Sequence, residues 1–156
     1  MDILNKMLNK IHHRGYSAIG LSNPKDSCNI GGALRAASCY GSSLVAISGK
    51  KYTKHSSDTC KTYRHIPLLH TDNLKNLIPY NCVPVAIEIV PGARELSKYT
   101  HPESAFYIFG PENGTLPKEI LEFCRDVVYV PTNYCMNLAA CVNVVLYDRM
   151  SKMFRE

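Results

Sequence analysis

The chain has 156 residues, enough for one domain with a proper core. Hydrophobic residues make up 46% and charged residues 20%, which excludes a disordered, collagenous or coiled-coil chain, and no apolar run is long enough to span a membrane. Lys and Arg outnumber Asp and Glu by 18 to 13, and the resulting +5 suits a polyanion such as RNA without requiring one.

Residues 1–15 read as a short polar helix or arm. They contain no apolar stretch of the kind a secretory signal needs. Tyr16 to Leu21 is a compact apolar run closed by Ser22-Asn23-Pro24, hence a strand. Ile30, Leu34 and Ala37 recur at helical spacing over 29–40, and Gly41 ends that helix. Leu44 to Ser48 is a second strand, followed by a polar, basic loop over 49–64. Ile66 to Leu69 is a short apolar segment, Asp72 to Ile78 a short helix, and Val83 to Val90 a third strand. Ala105 to Phe109 is a fourth strand, ended by Gly110-Pro111. Pro117 opens a helix to Cys124, as proline favours a first turn. Val127 to Val130 is a fifth strand. Asn137 to Met153 is the longest helix, with Leu138, Cys141, Val145 and Met150 as its buried stripe. Strand and helix alternate throughout, so the expected fold is α/β, a mostly parallel sheet flanked by helices in a single domain. In such sheets ligands bind at the carboxyl ends of strands near a switch in strand order.

The seven cysteines are an odd number and include no CxxC pair, so no structural zinc site is expected. They read as reduced thiols, mostly small buried hydrophobes, in a reducing compartment such as the cytoplasm.

Three polar loops lie where ligands should bind. The first runs from Asn23 to Arg35. Asn29 and Arg35 are six apart, nearly two helical turns, which is expected to leave Arg35 about 60° off the face of Asn29 and one turn deeper. The plainer reading makes Asn29 an N-cap and Arg35 a solvated residue. Gly31-Gly32 matches neither GxGxxG nor GxxxxGK[ST], so neither of those nucleotide motifs is supported. The second loop, Phe109 to Pro117, frames Glu112 between Gly110-Pro111 and Asn113-Gly114; the carboxylate could accept from a first helical turn or from a neighbouring loop, or simply cap its own turn. The third, Val130 to Ala140, runs into an Ala-rich helix start whose free N–H groups suit a ligand carboxylate. Cys135 sits there as a pocket-lining residue. As a nucleophile it would need a partner His, and no His lies in a comparably framed motif.

In order and spacing these loops resemble the three motifs of the SpoU/TrmH-type RNA 2′-O-methyltransferases of the SPOUT superfamily. Asn29…Arg35 is similar to motif one. Phe109-Gly110-Pro111-Glu112-Asn113-Gly114 with Leu116-Pro117 is similar to motif two. Cys135-Met136-Asn137-Leu138 running on to Asp148 is similar to motif three. The resemblance covers about residues 16–150, in a minimalist TrmL-like form with no added RNA-binding domain. It implies a C-terminal deep trefoil knot, a homodimer whose active site is completed across the interface, and S-adenosylmethionine as methyl donor, with S-adenosylhomocysteine as product and no metal. It implies Arg35, Asn29, Glu112 and Asn137 as the catalytic set. It implies cofactor contacts around Ile87, Glu88, Gly110, Val130, Cys135 and Leu138, largely through backbone. The family has serine at the position of Cys135, and a thiol is the weaker donor. Lys50, Lys51, Tyr52, Lys54 and Arg64, in the basic loop, suit RNA phosphates and stacked bases. tRNA is favoured as substrate over rRNA. The rivals are an inactive homologue that still binds S-adenosylmethionine or RNA, and a hydrolase built on Cys135.

Overall fold

The computed structural model describes residues 14–153. The arm expected over 1–15 therefore lies almost wholly outside the described residues. Seven strands form one sheet: β1 (Ser17–Ser22), β2 (Leu44–Ser48), β3 (Leu68–Thr71), β4 (Val83–Ile87), β5 (Arg94–Glu95), β6 (Ala105–Phe109) and β7 (Asp126–Tyr129). Their spatial order is β3-β2-β1-β6-β4-β7-β5, and every pairing is parallel. Among the described residues three helices flank it: α1 (Ser27–Cys39), α2 (Lys118–Phe123) and α3 (Leu138–Met153).

The central strands are buried end to end, because a parallel sheet is covered on both faces. Alternate residues serve the two layers. Ile19, Leu21, Tyr107 and Phe109 pack under α1 and α3. Ala18, Phe106 and Ile108 face the other way, against Leu74 and the partly buried Ile120, Leu121 and Phe123. Strand order reverses at β1, which pairs with β2 on one side and β6 on the other. The loops after β1, β4, β6 and β7 gather at the carboxyl side of that switch.

Several expectations needed correction. The third strand stops at Ile87 rather than Val90, since the chain beyond it turns outward and leaves Ile89 66% exposed. The short helix at 72–78 is a single 3-10 turn, Leu74–Leu77. The stripe of α3 is Leu138, Val142, Val145, Leu146 and Arg149, with Cys141 and Met150 at its margins. Cys82 alone among the cysteines is buried, whereas Cys28, Cys39, Cys60 and Cys135 are exposed, on the outward side of α1 or in loops. Burial pushes the two half-covered thiols up, Cys124 to about 12 and Cys141 to about 11, so neither is reactive at neutral pH. Gly31 and Gly32 lie inside α1 and are close-packing positions, not a phosphate turn. A Cβ on Gly32 would sit 2.7 Å from that of Ala139, and one on Gly31 would strike the Ser57 hydroxyl.

A buried charged residue, Arg149, ties α3 to the rest. Its guanidinium donates to the carbonyls of Pro102 (2.6 Å), Glu103 (2.6 Å) and Tyr16 (3.3 Å) and to the Tyr107 hydroxyl (3.2 Å). Lys152 adds bonds to the carbonyls of Leu96 and Tyr99. Tyr107, whose pKa burial pushes up to about 12, donates to Nδ1 of His101 at 2.6 Å. Nε2 of His101 then donates to Asp148 at 2.7 Å. The network assigns this neutral tautomer.

Burial lowers the His101 pKa below its ordinary value despite Asp148 beside it. The unfolded chain therefore binds a proton that the native state refuses, so stability rises with pH across that window. It should fall as pH drops from about 6.5, the unfolded value for histidine, toward the lower native pKa. Urea midpoints from pH 7.5 to 5 test this: the wild-type midpoint declines below about pH 6.5, and His101→Gln removes that part of the slope.

Candidate active site

The first loop is organised by its own helix start. Asp26, not Asn29, is the N-cap of α1, its Oδ1 accepting from the Cys28 N–H at 2.8 Å. Asn29 is thereby free for longer-range bonding. Its Nδ2 donates to Oε1 of Glu112 at 3.0 Å, and its Oδ1 accepts from Nδ2 of Asn137 at 2.6 Å. Asn137 also caps α3, its Oδ1 accepting from the Ala140 N–H at 3.2 Å. Glu112 completes the relay by accepting from the backbone N–H groups of Lys25 (2.9 Å) and Asp26 (3.2 Å). One carboxylate thus joins all three loops. Partial burial works to raise its pKa, but the bonds from Lys25, Asn29 and Asp26 outweigh it and hold the carboxyl below its usual value.

Beside this relay opens a pocket walled by Ile87, Glu88, Ile89, Pro111, Glu112, Gly114, Tyr129, Val130, Thr132, Cys135 and Met136. It draws on the ends of β4, β6 and β7 and the approach to α3. Glu88 fixes its far wall, its carboxylate accepting from the Leu116 and Ile89 N–H groups, both at 2.8 Å. Of the expected cofactor residues, Ile87, Glu88, Val130 and Cys135 are on the wall. Gly110 and Leu138 are not: Gly110 ends β6 just before it, and the Leu138 side chain is 5% exposed in the core. Ile89, Pro111, Gly114, Tyr129, Thr132 and Met136 were missed by name, although most fall in the polar loops already marked.

Arg35 stands apart from this group. At about 100° per residue, six residues turn a helix through about 600°, which leaves Arg35 about 120° from Asn29 rather than about 60°. It is exposed and lines a second cavity with Gly32, Ala36, Cys39, Ser57, Ala139 and Asn143. The basic loop borders the same cavity through Ser57. That loop is pinned: Ser57 Oγ donates to the Cys28 carbonyl at 2.8 Å, and buried Asp58 accepts from the Thr62 N–H and hydroxyl at 2.8 and 2.7 Å. Lys50, Lys51, Lys54 and Arg64 remain exposed, while Tyr52 is half-buried and accepts from the His55 N–H. The Lys54 ammonium lies 5.2 Å from the Tyr63 ring centre.

Residues 16–147 match the model of the SpoU rRNA Methylase family. The chain belongs to that family. No curated protein gives a significant sequence match. Among solved structures, the A. aeolicus TrmH/SpoU tRNA modifying enzyme superposes with a TM-score of 0.79 at 16% identity, covering 96% of this chain and 84% of that one. The SpoU methyltransferase AviRb from Streptomyces viridochromogenes, in complex with AdoMet, gives 0.79 at 15% identity, covering 94% of this chain but 61% of that one. A structure described as giving insight into the 2-OH methylation of C/U34 on tRNA gives 0.74 at 20% identity, covering 90% and 98%. The chain thus spans under two thirds of AviRb and most of the other two.

SpoU membership brings with it RNA methylation from S-adenosylmethionine. The pocket of this member fits that donor: Ile87, Val130 and Met136 offer apolar walls to an adenine ring, the strand ends offer backbone groups, and the carboxylates of Glu88 and Glu112 suit a sulfonium charge. Among the described residues no group of side chains could hold a metal, and none is a helix long and apolar enough to cross a membrane.

Glu112→Gln sets an amide N–H against at least one of three donors. We expect a loss of about 1–3 kcal/mol in stability, read as a lower urea midpoint, together with weaker S-adenosylmethionine binding by calorimetry, because the pocket shares the loop that Glu112 anchors.

Proposed function

We propose that this SpoU protein methylates a ribose 2′-hydroxyl of RNA, with tRNA favoured over rRNA, and that it acts as a cytoplasmic homodimer. The observation that carries the reading is the Asn137–Asn29–Glu112 relay on the edge of the pocket. It presents fixed amide groups where a ribose would meet a methyl donor. The tRNA preference is supported by the two relatives described with tRNA.

Bound S-adenosylmethionine supplies an electrophilic methyl group. Transfer of that methyl to the ribose 2′-oxygen would break the carbon–sulfur bond, leave S-adenosylhomocysteine and release the hydroxyl proton to solvent. Arg35 is suited to hold the target phosphate and to stabilise charge developing on the oxygen; a guanidinium stays protonated and is a poor base. Asn29 and Asn137 orient the ribose, and Glu112 holds both loops in register. Cys135 contributes to the wall rather than to the chemistry.

The position of Arg35 supports the dimer. It shares no wall with the cofactor pocket of its own chain, so a second copy is the natural source of the arginine for each pocket. The outer face of α1 and α3 supports that contact: Val144 and Tyr147 are exposed there, and Tyr40 meets Tyr147 edge-on at 6.4 Å. The knot implied by the resemblance belongs to the same proposal, supported by the grip of Arg149 and Lys152 on residues 96–103.

Transfer of labelled methyl from S-adenosylmethionine into bulk small RNA tests the function. We expect label that resists alkali as ribose-methylated dinucleotides. Arg35→Ala should lower it by roughly 100-fold or more while leaving cofactor binding unchanged. Cofactor binding by the wild type with no label in tRNA or rRNA would instead support a binding-only homologue. In a filter-binding titration of the same RNA, replacing Lys50, Lys51 and Lys54 by Ala should weaken affinity. It should also flatten the salt dependence by roughly 0.7–0.9 log units for each phosphate that is no longer neutralised. An unchanged slope would remove the loop from the RNA surface.

A further inference from the structure

Tyr134 is 88% exposed, yet it is not a casual surface residue. It lies between Thr132 and Cys135, both on the wall of the cofactor pocket, and three residues before Asn137 of the relay. Its backbone is fixed, since the Thr132 hydroxyl donates to the Tyr134 carbonyl at 2.7 Å. The ring itself does not line the pocket. The loop therefore holds an aromatic ring in solvent at the pocket mouth, next in sequence to the wall residue Cys135. Ile89, 66% exposed, is the other large apolar side chain at that mouth.

We propose that Tyr134 is a stacking platform for the base of the nucleotide being methylated. The inference rests on the reading of the site as an RNA 2′-O-methyltransferase. A 2′-hydroxyl in a stacked strand is hemmed in by its own base and phosphate. To reach a donor sunk among the ends of β4, β6 and β7, the nucleotide must splay out of its stack, and it gives up base–base stacking in doing so. An aromatic face at the point of exit replaces that stacking. Because every base has such a face, Tyr134 contributes affinity and positioning more than sequence choice. The loop presents the ring already in place, which lowers the ordering cost of binding.

Three variants of the full chain test the assignment. Tyr134→Ala should lower kcat/KM for bulk small RNA roughly 5- to 150-fold, the range for loss of one base–aromatic stack. Tyr134→Phe should restore it, and neither variant should alter S-adenosylmethionine affinity or the mass of the oligomer. The chain contains no tryptophan, so Tyr134→Trp introduces a single reporter whose emission should be quenched as bulk small RNA binds. An unaffected Tyr134→Ala, a Phe variant as weak as Ala, or a change confined to cofactor affinity or oligomer mass would each overturn the platform. So would unquenched tryptophan under conditions where anisotropy shows the RNA bound. If the wild type transfers no methyl to RNA, the functional reading fails, and quenching then decides the platform by itself.

Discussion

The site depends on one carboxylate accepting from three donors. Glu112 takes the N–H groups of Lys25 and Asp26 and the amide of Asn29, and Asn29 in turn holds Asn137. These groups come from loops after β1, β6 and β7, brought together only by the folded sheet. A carboxylate suits the place because it accepts without offering a proton, and the group facing it from each partner is an N–H donor. Asp26 makes the arrangement possible by capping α1 itself, which releases the Asn29 side chain. Remove that division of labour, and either the helix start or the relay loses its acceptor.

A second constraint acts at the other end of the molecule. Arg149 and Lys152 bind backbone carbonyls over residues 96–103, while His101 and Tyr107 fill the space between. The start of α3 belongs to the pocket through Asn137, and its end belongs to this polar cluster. The helix therefore spans the molecule, with a functional group at one end and a structural anchor at the other.

Much of the fold was legible because glycine and proline punctuate short apolar runs. The strands at Leu44–Ser48 and Ala105–Phe109 have the expected bounds. Others were less so. Val83–Ile87 runs on into apolar Ile89 and Val90, which sequence cannot tell from strand. Arg94–Glu95 is two charged residues that count as strand only because they pair with Val128 and Tyr129. Within the site, the three loops were visible as loops, and the family resemblance named Asn29, Glu112 and Asn137. The bond from Asn29 to Glu112 agrees with the anchoring role the resemblance implied, whereas the bond from Asn137 to Asn29 was not legible, since it depends on how distant strand ends meet. The position of Arg35 followed from helix geometry but was misjudged. The wall residues Ile89, Tyr129 and Thr132 carry no signal of their own; only the sheet shows that they share a pocket.

The order of the strands also governs how the chain is made. β1 lies at the centre of the sheet, but its partner on one side, β6, follows some 80 residues later, pairing Ser17 with Ala105. During synthesis β1, β2 and β3 can associate early, leaving one edge of the most buried strand bare. That edge is largely apolar and unpaired, the kind that invites pairing with another chain. It is covered only after β6 leaves the ribosome, and α3 follows later still. The catalytic relay, which needs Asn137, is thus among the last parts assembled, so an interrupted chain would carry the sticky edge and none of the activity.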